Sequence, residues 1–158
     1  VTSLDEDLAA ALLAHDATVA TAESCTAGLV AGRIADRPGS SAYLIGGFVT
    51  YANRAKTEEV GVAADVLDRV GAVSEEVAVA MAQGARARLG TTYGLSTTGV
   101  AGPDGGTPQK PVGRVHIAVV SADRTWHRRL QLDGDRAQVR ADTVTEVLRL
   151  LLEAVATG

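Results

Sequence analysis

Cysteine occurs once in these 158 residues, at Cys25. No intrachain disulfide can form, and no cysteine-based zinc site can be assembled. Aromatic residues make up only 3% and methionine appears once, so the core must be built from Ala, Val and Leu. An excess of positive charge is missing too: the formal net charge is -4. That excludes a general electrostatic attraction to nucleic acid or to anionic membranes. No apolar run is long enough to span a bilayer, and the first residues, "VTSLDEDLAA", are acidic and unlike a signal peptide. The expectation is a cytoplasmic protein. The three histidines show no spacing with acids that suggests a metal site, so no metal and no cofactor is expected. Lysine is scarce: of 15 basic residues only Lys56 and Lys110 are lysines.

What is present reads as one soluble domain over residues 1–158, with 46% hydrophobic and 22% charged residues. "SLDEDLAAALLAH" opens with the capping box Ser3–Glu6 and places Leu4, Leu8, Ala11 and Leu12 on one helical face. Thr18 to Ala22 reads as a strand and Thr26 to Ala35 as a helix broken before Pro38-Gly39. Ala42 to Ala52 reads as a second strand with a glycine pair inside it. Two short helical pieces follow, each ended by glycine. Ser74 then caps a longer helix whose acids lie in the first turn and arginines in the last, complementing the dipole. "TTYGLSTTG" is a third strand, and Gly99 to Gly113 is a long loop dense in Gly and Pro. A hairpin turning at Ala122-Asp123 and a long amphipathic helix complete the chain. Val144, Val147, Leu148, Leu151, Leu152 and Val155 form the buried stripe of that helix. Helices between the early strands favour parallel pairing, and the hairpin adds an antiparallel element. The predicted fold is a three-layer α/β/α sandwich on a mixed, mostly parallel five-stranded sheet.

Ser24 and Cys25 stand side by side at a strand-to-helix turn. A serine there could attack a carbonyl while nearby N–H groups hold the oxyanion. Serine is also among the commonest N-cap residues, so both readings stand. Cys25, a lone small thiol with no histidine beside it, reads as core. His15, His116 and His127 read as structural. The other base known for serine is a lysine of depressed pKa, and in an arginine-rich chain Lys56 stands out against a plain surface lysine. In a parallel sheet the C-terminal strand ends meet at one crevice. Ser24 follows the first strand, Tyr51 and Lys56 the second, and the glycine-rich loop the third. That loop holds Thr97, Thr98 and many N–H groups able to cradle an anion, but matches neither a Walker A loop nor G-x-G-x-x-G. Arg136 and Arg140, at i and i+4 on the last helix, could clamp a phosphate or carboxylate, or pair with Asp133, Asp135 or Asp142 on an exposed face.

Six segments in order, "AESCTAG", "GGFVTYANRAK", "GAVSEEVAVAMAQGA", "TGVAGPDGG", "KPVGRVHIAV" and "GDRAQVR", closely resemble the CinA C-terminal domain family, the PncC-type nicotinamide-nucleotide amidohydrolases. The resemblance covers nearly the whole chain, departing at Ala27 where many relatives carry glycine. It implies the same three-layer fold. It also implies metal-independent hydrolysis of nicotinamide mononucleotide to nicotinate mononucleotide and ammonia. Carried over by motif, Ser24 matches the nucleophile, Lys56 the base and Tyr51 a tyrosine that assists it. An arginine of "GDRAQVR", Arg140 before Arg136, matches a substrate-binding position, and Thr26, Thr98, Gly99, Ala101 and Gly102 are expected to contact the substrate as well. The implied partner is a small nucleotide substrate, with no nucleic acid and no membrane, in a homo-oligomer. Larger CinA proteins carry an additional N-terminal domain for which this chain has no room, so the stand-alone form is expected. The rival reading is a non-catalytic nucleotide-binding or regulatory domain in a competence or damage response, which would not require Ser24, Tyr51 and Lys56 together.

Overall fold

A computed structural model describes all residues, 1–158. The elements run in the order α1 (Leu4–Ala14), β1 (Val19–Glu23), α2 (Leu29–Ala35), β2 (Leu44–Val49), α3 (Asn53–Val60), α4 (Ala64–Val70), α5 (Glu75–Leu89), β3 (Tyr93–Gly99), β4 (Arg114–Val120), β5 (Thr125–Gln131) and α6 (Arg136–Thr157). Local chemistry explains most boundaries. The hydroxyls of Ser3 and Ser74 accept from the N–H groups of Glu6 and Val77 and cap α1 and α5. Gly61 and Gly90 take left-handed conformations that stop α3 and α5. Asp135 caps α6 through the Gln138 N–H.

The strands form one sheet in the order β2-β1-β3-β4-β5. β1 pairs parallel with β2 and with β3, whereas β4 is antiparallel to both β3 and β5. Four strands therefore share one direction and β4 alone opposes them, which is the mixed, mostly parallel sheet the pattern predicts. From β1 the chain crosses to β2 on one side, then returns past β1 to β3 on the other. The order reverses at the β1/β3 pair, and their C-terminal ends open a crevice.

Two cores sandwich the sheet. On one face α1, α2 and α6 bury Leu12, Val30, Val147 and Leu151 against Val19, Leu95, Ile117 and Val119. On the other, α3 to α5 bury Val60, Leu67, Val77 and Met81 against small sheet residues, Ala20, Ala22, Ala118 and Val120. The stripe expected on α6 is buried except for Leu152, which is partly exposed and packs at the core's margin.

One boundary differs from the expectation and matters for the site. The second helix begins at Leu29, not Thr26, because the chain first makes a turn with Ala27 (φ 48°) and Gly28 (φ 101°) in positive-φ conformations. Ser24 therefore lies five residues ahead of the helix and does not cap it.

The close seat of α5 on the sheet depends on Gly94, where an added Cβ would collide with the Ala82 carbonyl oxygen. Gly32 is the opposite case, a helical glycine with open space around the missing Cβ. We expect Gly94→Ala to lower unfolding free energy by about 1–3 kcal/mol and Gly32→Ala to raise it by about 0.4–1 kcal/mol. Urea denaturation of the two variants checks both signs.

Candidate active site

β1 ends on Glu23, and the Ser24 N–H continues the ladder by donating to the Thr97 carbonyl at 2.9 Å. This bond fixes Ser24 at the crevice between β1 and β3. β2 ends nearby, and the turn after it leads into α3, whose first turn carries Lys56 back under Ser24. Lys56 is only 1% exposed. Its Nζ donates to Ser24 Oγ at 3.0 Å, to the Thr50 carbonyl at 2.8 Å and to the Tyr51 carbonyl at 3.0 Å. Burial brings its pKa down to about 8.

These three contacts use every donor of an ammonium. When Lys56 loses a proton, its two remaining N–H groups still satisfy the two carbonyls. The lone pair then faces Ser24 Oγ, whose own proton can turn toward it. The arrangement is a serine poised on an amine base.

Tyr51 meets the pair through its backbone. Its main-chain carbonyl touches the pair, accepting from Lys56 and, at 3.4 Å, from Ser24 Oγ. Its ring is 55% exposed, and its hydroxyl accepts from Arg136 Nη2 at 2.8 Å. The structure thus gives a direct Ser24–Lys56 contact, with the phenol on the rim and not between the two.

A cleft of about 290 Å³ opens over the pair, lined by Ser24, Tyr51, Lys56, Thr98 and the loop from Gly99 to Gly105. Gly99, Ala101 and Gly102 lie in its wall, and so does Thr98, although the Thr98 hydroxyl is spent on the Ala72 carbonyl. Arg136 lines the cleft and also donates to the Gly102 carbonyl at 2.9 Å. Arg140, ranked first from the sequence, is turned to the turn that follows Ser24: its Nε donates to the Cys25 carbonyl at 2.9 Å and its Nη2 to the Thr26 carbonyl at 3.3 Å. Thr26 is also turned inward. Its hydroxyl is fully buried, donating to Glu23 Oε1 at 2.6 Å and lying 2.7 Å from Thr97 Oγ1. Its N–H, not its side chain, remains for a ligand. Asn53 and Asp104 line the cleft as well. Asn53 was within reach of sequence reasoning, since it opens the helix that carries Lys56.

A larger open groove of about 510 Å³ runs between α2 and α6, with Leu29, Arg33, Asp36 and Asp142 in its walls. Its walls carry two carboxylates and the Thr145 hydroxyl but no serine in contact with a buried amine, so volume alone does not mark the Ser24–Lys56 pair. His116 and His127 do not line the cleft. Their rings stack, Nδ1 of one lies 2.9 Å from Nε2 of the other, and burial together with the neighbouring His127 lowers His116 to about 4. No helix is long and apolar enough to cross a membrane.

The CinA C-terminal domain family matches residues 1–155. This chain belongs to the CinA C-terminal domain family. It is 52% identical over 157 residues to a CinA-like protein of Mycolicibacterium gilvum, covering 99% of this chain and 37% of that protein. A CinA-like protein of Geotalea daltonii is 50% identical over 135 residues, covering 85% of this chain and 33% of the relative. The chain thus spans about a third of the length of these curated relatives. Among solved structures, the competence/damage inducible protein CihA of Agrobacterium tumefaciens superposes with a TM-score of 0.90 at 38% identity, covering 98% of this chain and 97% of that one. A CinA superfamily protein of Klebsiella pneumoniae gives 0.94 at 31% identity, covering 98% and 97%.

Cys25 packs behind Ser24. It is buried, and burial pushes its thiol up to about 11. We expect the native protein to resist alkylation by iodoacetamide at pH 8 and to react at its single cysteine once unfolded in urea. Mass spectrometry of the adduct reads the difference. Rapid labelling of native Cys25 would return the thiol to the list of nucleophiles.

Proposed function

We propose that this CinA-family chain is an amidohydrolase that converts nicotinamide mononucleotide to nicotinate mononucleotide and ammonia. The observation that supports it best is Lys56 Nζ at 3.0 Å from Ser24 Oγ, buried and held by two carbonyls so that its neutral form offers the lone pair to the serine. A binding module has no use for a buried amine of lowered pKa beside a serine. The substrate follows from the family resemblance. A cleft with one cationic wall, at Arg136, suits a phosphorylated amide.

The chemistry runs in two halves. Neutral Lys56 takes the Ser24 proton as Oγ attacks the carboxamide carbon, and the carbonyl oxygen becomes an oxyanion. The N–H groups of Cys25 and Thr26, next to Ser24 in the chain, donate to no backbone carbonyl and are the main-chain donors assigned to it. Lys56 returns the proton to the departing nitrogen, ammonia leaves, and an acyl-serine remains. Water then attacks the ester, giving its proton to Lys56, and Ser24 is regenerated as the carboxylate product leaves. Tyr51 and Arg136 bond to each other at the rim, where the nucleotide's phosphate would meet Arg136.

The test is ammonia release from nicotinamide mononucleotide, followed with a coupled assay in chelator-treated buffer. Wild type should turn over. Ser24→Ala should lose on the order of 10⁴-fold or more in kcat, and Lys56→Ala about 10²–10⁴-fold. Arg136→Ala should raise KM about tenfold, the loss of one charge-assisted contact. A folded wild type that binds the nucleotide saturably without releasing ammonia would favour a regulatory domain.

The same base sets the pH dependence. Lys56 works only when neutral, and its pKa is lowered to about 8. The kcat/KM of wild type should therefore climb as pH rises toward 8 and level off above it, as the proton leaves the free enzyme. A profile flat from pH 6 to 9 would remove Lys56 from the role of base.

A further inference from the structure

Glu23 takes no part in the chemistry above, yet it is 1% exposed and surrounded by donors. Its Oε1 accepts from Thr26 Oγ1 at 2.6 Å, from the Gly28 N–H at 3.1 Å and from the Val30 N–H at 2.8 Å. Its Oε2 accepts from the Ala31 N–H at 3.0 Å. All four donors belong to the turn that Ser24 opens or to the helix that the turn feeds. The carboxylate therefore does for α2 what a cap normally does, but from the residue before the nucleophile.

Two consequences follow for Ser24. The turn contains Ala27 at φ 48°, a conformation that a residue with a side chain keeps only when its surroundings fix it. Glu23 provides that restraint by holding residues on both sides of Ala27. In addition, the N–H groups of Gly28, Val30 and Ala31 are consumed, so those of Cys25 and Thr26 are what remains near Ser24. Both of these are aimed by bonds to the carbonyls of the same peptide planes. The Ser24 carbonyl accepts from the Ala27 N–H at 3.1 Å, which orients the Cys25 N–H. The Cys25 carbonyl accepts from Arg140 Nε, which orients the Thr26 N–H. Glu23 grips the turn by its donors while Arg140 grips it by its acceptors.

We propose that Glu23 is a positioning residue of the active site: its buried carboxylate holds the 24–28 turn in the one conformation that aims Ser24 Oγ at Lys56 and leaves the Cys25 and Thr26 N–H groups free for the oxyanion. This rests on the reading of Ser24 as the nucleophile. A glutamine at the position keeps the size and one acceptor oxygen but faces an N–H donor with an NH₂ group.

The test compares wild type with Glu23→Gln, and with Glu23→Ala if that variant folds. Two readouts are taken at a temperature where circular dichroism shows the Gln variant folded. The first is turnover of nicotinamide mononucleotide. The second is the rate at which a fluorophosphonate modifies Ser24, located by peptide mass. The expected result is a kcat about 10²-fold lower in Glu23→Gln, the effect of a misplaced reacting group, with KM within about threefold of wild type and Ser24 labelling slowed in parallel. A folded Glu23→Gln that matches wild type in kcat and in labelling rate would overturn the proposal, even if its melting temperature were lower. If wild type did not hydrolyse the nucleotide, the proposed substrate would fall, and the labelling ratio alone would decide on Glu23. A wild-type Ser24 that the probe does not label at all would overturn the proposal too, since there would be no activated nucleophile to position.

Discussion

Everything at this site depends on one buried amine. A lysine that is almost completely withdrawn from water costs stability in its charged form, and the chain lowers that cost by letting the proton go easily. The carbonyls of Thr50 and Tyr51 satisfy its N–H groups in either state. They are available because β2 stops at Val49 and the next residues turn their carbonyls inward before α3 begins. The sheet fixes the other half of the contact. Ser24 is set by its bond to Thr97 on β3, and Lys56 by the helix that returns from β2. The dyad thus spans two connections that leave β1 and β2 at the same sheet edge, and their meeting at 3.0 Å is a consequence of parallel pairing.

Electrostatics separates the neighbours. Ser24, Cys25 and Lys56 lie within a few residues or a few ångströms of each other, yet burial acts on them in opposite senses. It lowers the lysine, so that its neutral form becomes the major one above about pH 8, and raises the thiol, so that Cys25 stays protonated and packs as a small apolar side chain. Both residues line the cleft, but Ser24 Oγ is the one that meets Lys56, while Cys25 is buried and packs with the core.

Much of this was legible in the sequence because it rests on local chemistry. Ser3 and Ser74 cap, and Gly61 and Gly90 stop helices. Ser24, Lys56 and the loop from Thr98 fell together because strand ends on one edge must converge. What could not be read depends on distances across the fold. The late start of α2 follows from a carboxylate reaching forward over eight residues to Ala31, and no hydrophobic periodicity reports that. Arg136 and Arg140 share a helical face, yet one reaches the rim tyrosine and the other the backbone of the turn after Ser24. A shift of one helical turn along α6 decides the difference, beyond the resolution of an i, i+4 argument. The Tyr51 ring lies toward the rim because Arg136, 85 positions away, supplies its partner.

The central claim is that Lys56 gives up its proton far more readily than an ordinary lysine, and its titration tests this most directly. The chain has only two lysines, so ¹³Cε-lysine NMR gives a two-signal spectrum that Lys110→Arg assigns. The account predicts a Lys56 midpoint near 8. A midpoint at the ordinary lysine value of about 10.4 would leave Ser24 without its base and contradict the mechanism.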